Sequence, residues 1–365
     1  MIPGPVDVPD DILEAMSVPC MPHYGAQWLG IYNETISSLK QVFRTQNDVF
    51  MIPGAGSASL EAAVGSMVAA GEKALVLVNG FFSQRLGKIA QACGIETASV
   101  EAQWGKPILP EQLQKALEAD GDIKAVIMVH NETSTGVLNP LKELVEIAHG
   151  YGLPVIVDAI SSVGGVPLPV DEWGIECCVT VANKCLETPP GLGIVSVSPR
   201  AWEVISSKAD KARGWYLNLN VWRDYSLDWD WHPYPTTLPT NNILALHKSL
   251  QNLLHEGLET RYARYRAAAK LVRDGLEELG FGFLVAEAYA SPLITATVGR
   301  PGVHIDELIK FLREEHGILV GGGIGPLQGQ LMRVGHMGQA ISDEYGNALL
   351  TAVQDFIAKI GDKKS

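Results

Sequence analysis

The chain has 365 residues, a length that divides into roughly two to three domains of ordinary size. Apolar residues make up 47% and charged residues 19%, which provides for a large core and excludes a disordered chain. Twenty-eight basic against 41 acidic side chains leave a net charge of −13, which argues against a nucleic-acid binder and against docking on an anionic membrane. No run reaches the roughly 18 apolar residues of a membrane span, and Met1-Ile2-Pro3-Gly4-Pro5 lacks the basic and apolar regions of a secretion leader. The cysteines, at 20, 93, 177, 178 and 185, are odd in number with two adjacent and form no CxxC pair. Reduced thiols in a cytoplasmic chain are expected.

From about residue 50 to 200, apolar β-rich runs alternate with segments of helical spacing. Ser59–Ala70 reads as a helix ended by Gly71, Ala74–Val78 as a strand and Gln84–Cys93 as a helix. Glu96–Val100 (strand), Pro110–Ala119 (helix), Ala125–His130 (strand), Leu141–Gly150 (helix) and Pro154–Asp158 (strand) follow. Cys177–Ala182 and Gly193–Ser198 read as two more strands, close enough to suggest a hairpin at one edge. Strands apolar on both faces and alternating with helices imply an α/β fold, a mostly parallel sheet between helix layers. Residues 213–239 break the pattern: Trp215, Trp222, Trp229 and Trp231 mix with Pro, Asn and Asp, as in an irregular surface or subunit-interface segment. A long helical stretch runs from Ile243 to Leu279, and 280–362 reads as a smaller α+β unit.

Four features could carry chemistry. Gly54-Ala55-Gly56-Ser57-Ala58-Ser59 lies between an apolar run and a helix, where small residues let amides approach a phosphate, although a plain cap by Ser57 explains it equally well. Asp158 ends a strand, where open α/β sheets bind ligands, or it merely starts a turn. Lys184 follows a buried-looking strand and precedes Pro189-Pro190-Gly191; an amine partly removed from water can form a Schiff base. Arg333, in an apolar strand after the glycine-rich turn 321–325, suits a ligand carboxylate or a structural ion pair. Together a phosphate cradle, an acid, an amine and a carboxylate clamp are the set pyridoxal phosphate needs.

With these residues in place the chain resembles the class V, fold-type I pyridoxal-phosphate aminotransferases, in the alanine–glyoxylate and serine–glyoxylate (serine–pyruvate) branch. The resemblance runs from PGPVDVPDDILEAM through ETSTGVLNPL, VDAISSVGG and ANKCLETPPGLG to GPLQGQLMRVGHMG. It implies a mostly parallel seven-stranded sheet, an N-terminal segment (1–20), a large cofactor-binding domain (21–245) and a small C-terminal α+β domain (246–365). It implies that Lys184 binds the pyridoxal 5′-phosphate aldehyde and that Asp158 faces the pyridine nitrogen, with Ile160 near the ring. Ser57, Ala58 and Ser59 take the phosphate turn, Phe82 the ring-stacking place, Thr133 the contact to the phenolic oxygen, and Asn183 the place before the lysine. Tyr234 and Thr237 match the pair that reaches the neighbouring subunit's phosphate, so a homodimer with shared sites is implied, and Arg333 matches the substrate-carboxylate arginine.

The implied reaction is ping-pong transamination between a small neutral amino acid, alanine or serine, and glyoxylate or pyruvate. Pyridoxamine–pyruvate, ureidoglycine–glyoxylate and 2-aminoethylphosphonate–pyruvate transamination are the alternatives. The first of these uses an acidic residue and an extra arginine where this chain has Ala55 and Ile324. A cysteine desulfurase needs a cysteine in the C-terminal half, and the last one here is Cys185. A nicotinamide enzyme needs an acidic residue where the strand after the glycine turn ends in Asn79-Gly80. A fold kept without its chemistry would be marked by loss of the lysine or the aspartate, and both are present.

Overall fold

The computed structural model describes residues 1–209 and 214–362; residues 210–213, where the tryptophan-rich segment begins, and 363–365 lie outside them. Helices α1 (Asp10–Met16) and α2 (Ala26–Phe43) lead into β1 (Asp48–Pro53) and α3 (Gly56–Met67). Strand and helix then alternate through β2 (Lys73–Val78), α4 (Phe81–Ala92), β3 (Glu96–Glu101), α5 (Pro110–Ala119) and β4 (Ile123–Val129). After a short hairpin, β5 (Asn131–Glu132) and β6 (Val137–Leu138), come α6 (Leu141–Gly150), β7 (Val155–Asp158), α7 (Val170–Trp173), β8 (Cys177–Val181) and β9 (Leu192–Val197).

Seven strands form one sheet in the order β1-β9-β8-β7-β4-β2-β3. Strands β8, β7, β4, β2 and β3 are mutually parallel, and β9 runs antiparallel to both its neighbours. The residues of β8 and β9 are buried throughout, as a sheet covered on both faces requires. The expected β8–β9 hairpin forms, but not at the edge: β1 pairs with the free side of β9 and becomes the edge strand.

Helices α8 (Pro199–Ser206) and α9 (Leu219–Asp228) pack against α3. The tryptophan-rich stretch is therefore not irregular throughout. Its helix α9 is fixed by the Asn218 side chain accepting the Asn220 amide and by buried Trp222, whose Nε1 donates to the Tyr216 carbonyl at 2.8 Å. The stretch read as one helix from Ile243 to Leu279 is two, α10 (Thr240–Glu256) and α11 (Leu258–Glu278). Gly257 separates them at φ +85°, a left-handed value that suits glycine.

A second sheet, in the order β10-β11-β13-β12, is built from β10 (Gly282–Phe283), β11 (Ile294–Gly299), β12 (Gly321–Gly322) and β13 (Met332–Gly335). With α12 (Ile305–His316) and α13 (Asp343–Asp362) it encloses a separate core of Leu276, Leu308, Leu312, Met332, Val334 and Leu349. Met1 joins this core, so the first residues of the chain lie on its C-terminal part. Cys20, Cys177, Cys178 and Cys185 are free thiols. Among the described residues no helix is long and apolar enough to cross a membrane.

Candidate active site

The functional candidates gather at the carboxyl ends of the parallel strands, where the sheet's loops leave room for a ligand. Asp158 is the last residue of β7, and Lys184 lies in the turn that follows β8. The Asp158 carboxylate is buried and accepts the Ile160 amide at 2.9 Å. Burial pushes this carboxyl up to about 7, against the pull of the Ile160 amide, with Glu132 adding repulsion and Lys184 and Arg85 drawing it down. Burial likewise pushes the Lys184 amine down to about 8; beyond that Cys185 raises it, Arg333 lowers it and Asp158 raises it. The amine donates to the main-chain carbonyl of Pro3. The amine thus lies in the field of both the acid and the Arg333 guanidinium.

The glycine-serine turn differs in detail from expectation. Helix α3 begins at Gly56, three residues earlier than the hydrophobic pattern suggested, and its N-cap is Ala55. No side chain caps it, so Ser57 is not a cap but part of the first turn, together with Ala58. The leading amides of a helix have no partner inside it and carry partial positive charge, so this turn can take an anion. Ser59 is the exception among the three expected residues: its side chain is fully buried toward Gly193 of β9, and its hydroxyl has no partner. A Cβ at Gly56 would stand 2.7 Å from Ile160 Cδ1, so the anion turn packs directly on the loop that follows Asp158.

Arg333, buried in β13, spends Nε on the Gly322 carbonyl (2.8 Å) and one terminal nitrogen on the Thr133 carbonyl (3.0 Å). No carboxylate pairs with it among the described residues, so the structural ion pair open to it in sequence is not formed. A guanidinium has five N–H donors in a planar fork, so donors remain for a ligand carboxylate. Thr133 is buried beside it. Phe82, half-buried in the first turn of α4, meets Phe81 edge-on at 5.5 Å and has the Arg85 guanidinium 5.0 Å from its ring centre. Asn183 is half-buried immediately before the lysine.

Tyr234 and Thr237 are placed differently from the rest. In the single chain Tyr234 is fully buried among Tyr32, His23 and His232; its hydroxyl accepts from Trp28 Nε1 at 2.7 Å and donates to the His23 carbonyl. Thr237 is exposed.

Two structural residues escaped the sequence reading. Glu132 is wholly buried, and its carboxylate accepts the amides of Phe82, Ser83 and Ser134 and both serine hydroxyls. It neutralises the N-terminus of α4 and thereby fixes Phe82; Gly80 makes room, since a Cβ there would fall 2.4 Å from the carboxylate carbon. Its only sequence signal was a charged residue between an apolar strand and a small-residue turn, HNETSTG. Arg261 of α11, 3% exposed, donates to the carbonyls of Gly164 (3.2 Å) and Cys185 (2.9 Å) and to the carboxylates of Glu187 and Glu256. It clamps the turn that carries Lys184, in which Glu187 sits at φ +58°. A cavity of about 860 Å³, lined by His130, Trp173, Arg266 and Phe283 among others, lies apart from Lys184 and Asp158.

The residues present fit pyridoxal phosphate on the chemistry of the donor set: uncapped amides for the phosphate, a buried carboxyl to meet a ring cation, and a partly desolvated amine for the aldehyde. Comparison with known proteins agrees. The family described as "Aminotransferase class-V" matches residues 14–335. An uncharacterized aminotransferase of Methanocaldococcus jannaschii is 39% identical over 338 residues, which cover 93% of this chain and 87% of its own. The serine–glyoxylate aminotransferase of Methylorubrum extorquens is 30% identical, with 92% of this chain and 85% of its own covered. The crystal structure of ureidoglycine–glyoxylate aminotransferase from Bacillus subtilis superposes with a TM-score of 0.94 at 29% identity, covering 99% of this chain and 93% of its own.

Proposed function

The chain belongs to the class V aminotransferases, with pyridoxal phosphate as cofactor, and from that premise we propose that it moves an amino group between alanine or serine and glyoxylate or pyruvate. The observation that carries the choice of substrate is the single arginine clamp. Arg333 has donors left for one α-carboxylate, and Ala55 and Ile324 supply no charge at the two places where a pyridoxamine-specific relative would have one. A second substrate carboxylate, as in aspartate, would need a cation besides Arg333.

When bound, pyridoxal phosphate supplies an electron sink that lets the substrate Cα give up a proton. The amides of Gly56 and Ser57 would hold the phosphate, since that of Ala58 already donates to the Ala55 carbonyl at 2.9 Å, and Glu132 keeps Phe82 in position for the ring. Asp158 holds a proton on the ring nitrogen; a cation set against it draws its carboxyl back down from about 7, which keeps the pair charged. Lys184 would hold the cofactor through its aldehyde carbon, and its Nζ is the group that would take the Cα proton. With its amine lowered to about 8, a useful fraction is neutral near pH 7, and such a base contributes roughly 10²–10⁴ in rate. Arg333 orients the α-carboxylate so that the Cα–H faces that amine. Two half-reactions on one site give ping-pong kinetics.

The test is a panel of amino donors against glyoxylate and pyruvate, followed by chromatography of the products. Alanine or serine with glyoxylate should turn over fastest, and Lys184→Ala should lose both turnover and the yellow of the bound cofactor. Preference for aspartate, or turnover by the alanine variant, would overturn the reading. The likeness to ureidoglycine–glyoxylate aminotransferase supports a second reading, ureidoglycine as donor, which the same panel decides.

We also propose a homodimer. Tyr24, Trp215, Leu227, Trp229 and Trp231 are exposed, Trp229 and Trp231 stack at 5.4 Å, and His232 adjoins them. Exposed aromatics in one segment are the mark of an interaction surface. Light scattering should give twice the chain mass, and Trp229→Ser with Trp231→Ser should shift the protein toward monomer.

A further inference from the structure

Residues 1–7 do not trail over the surface. The Gly335 amide donates to the Met1 carbonyl at 2.8 Å. A Cβ at Gly335 would stand 2.4 Å from the Ile2 carbonyl oxygen, one at Gly321 2.8 Å from Pro3 Cδ, and one at Gly338 2.7 Å from the Asp7 carbonyl oxygen. Three glycines of the C-terminal part therefore clear a channel in which this stretch is held. At its midpoint the Pro3 carbonyl accepts from the Lys184 amine. Gly4, at φ +112°, has no room for a side chain: a Cβ there would lie 2.3 Å from Lys184 Nζ and 2.7 Å from its Cδ. Arg333 is close on the other side, since the same Gly321 position lies 3.4 Å from its guanidinium.

We propose that Pro3 and Gly4 form the substrate-facing wall of the lysine site, positioning the Lys184 amine through the Pro3 carbonyl and limiting the size of the substrate side chain. This rests on the transaminase reading. A substrate Cα whose carboxylate is on Arg333 and whose hydrogen faces Lys184 must lie against the segment that contacts Lys184 and runs past Arg333 across Gly321. The wall is main chain and a proline ring, so it does not yield as a flexible side chain would. A small substituent at Cα is accommodated and a branched or aromatic one meets the wall.

Two variants test it. Pro3→Gly removes the ring and keeps the carbonyl; the ratio of kcat/KM for leucine over alanine should rise about tenfold, the scale on which a pocket resolves a few methylenes. Gly4→Ala displaces the amine; kcat should fall about a hundredfold with KM little changed, as for an ångström-scale misplacement. An independent readout uses the cofactor-free chain: the rate at which an amine-directed reagent modifies Lys184, followed against pH by peptide mass mapping. It should rise in Gly4→Ala and match wild type in Pro3→Gly. An unchanged donor-size ratio in Pro3→Gly overturns the size limit, and unchanged labelling in a folded Gly4→Ala overturns the positioning. Should Gly4→Ala fail to fold, Pro3→Gly still decides the size limit, and labelling of the wild type with residues 2–4 deleted decides the positioning. A wild type with no transaminase activity would refute the function, while the labelling result would still stand on its own.

Discussion

At Asp158 burial outweighs charge: the carboxyl is pushed up to about 7 although a lysine and an arginine lie within its field. An uncharged stand-in should therefore fold well and work badly. Asp158→Asn is expected to leave the urea midpoint nearly unchanged while lowering kcat by about two to three orders of magnitude, the loss of one charged interaction of about 3–4 kcal/mol in the transition state. Arg333→Met should instead act on substrate capture, lowering kcat/KM for alanine roughly a hundredfold, since hydrogen bonds to charged groups are each worth about 1.5–3 kcal/mol. Asp158, Lys184 and Arg333 were legible in sequence because each is a charge at the end of, or inside, an apolar strand, where it must have a reason to be. Glu132 was not, because a carboxylate within a polar run such as HNETSTG reads as solvated until the fold closes around it. Ser59 misled for the opposite reason: a serine in the right turn by count faces the sheet by helical phase.

The elements around the site were legible wherever one periodicity ruled from end to end, as in α5 and α6, both buried along one face. They were misread where a single residue overrode the pattern. Gly257 lies among strong helix formers, and the pattern tolerates one glycine; only its φ shows that the chain turns there. The α9 segment has little helix propensity and is held by the local Asn218 cap and by Trp222, whose packing against Phe50 is tertiary. The break after α10 matters because α11 then brings Arg261 against the lysine turn. Arg261→Met leaves Glu187 without its cation and the Cys185 carbonyl without its donor, while Glu256 keeps Arg264. Losing one member of such a buried cluster is expected to cost about 3 kcal/mol, read as a lowered urea midpoint at unchanged m.

Over the whole molecule, two buried histidines set the acid limit. Burial pushes His130 and His336 down to about 3, with Arg273 adding to the effect at His336, and the Nδ1 atoms of both lack a partner. Their folded values lie below the unfolded 6.5, so the stability they confer is complete above about pH 6.5 and is lost as the pH falls toward 3. Each costs about 1.4 kcal/mol per pH unit across that window. Asp158, raised to about 7 from 3.8, has the opposite sign: it loses stability as the pH rises from about 4 to 7. The histidines outnumber Asp158, and His23 and His247, also lowered by burial, act in the same sense, so between pH 4 and 6.5 the cofactor-free chain should gain stability with rising pH. With cofactor bound Asp158 no longer opposes them and the slope should steepen. Urea titrations at several pH values, with and without cofactor, measure both. The hydrogen bond between Met1 and Gly335 has a last consequence, one that concerns the order of biosynthesis. Residues 1–7 find their seat only after Gly335 has been translated, so until then a nascent chain carries a half-built pocket. Release or cleavage ahead of Gly335 should leave a fragment whose lysine remains open to adventitious aldehydes.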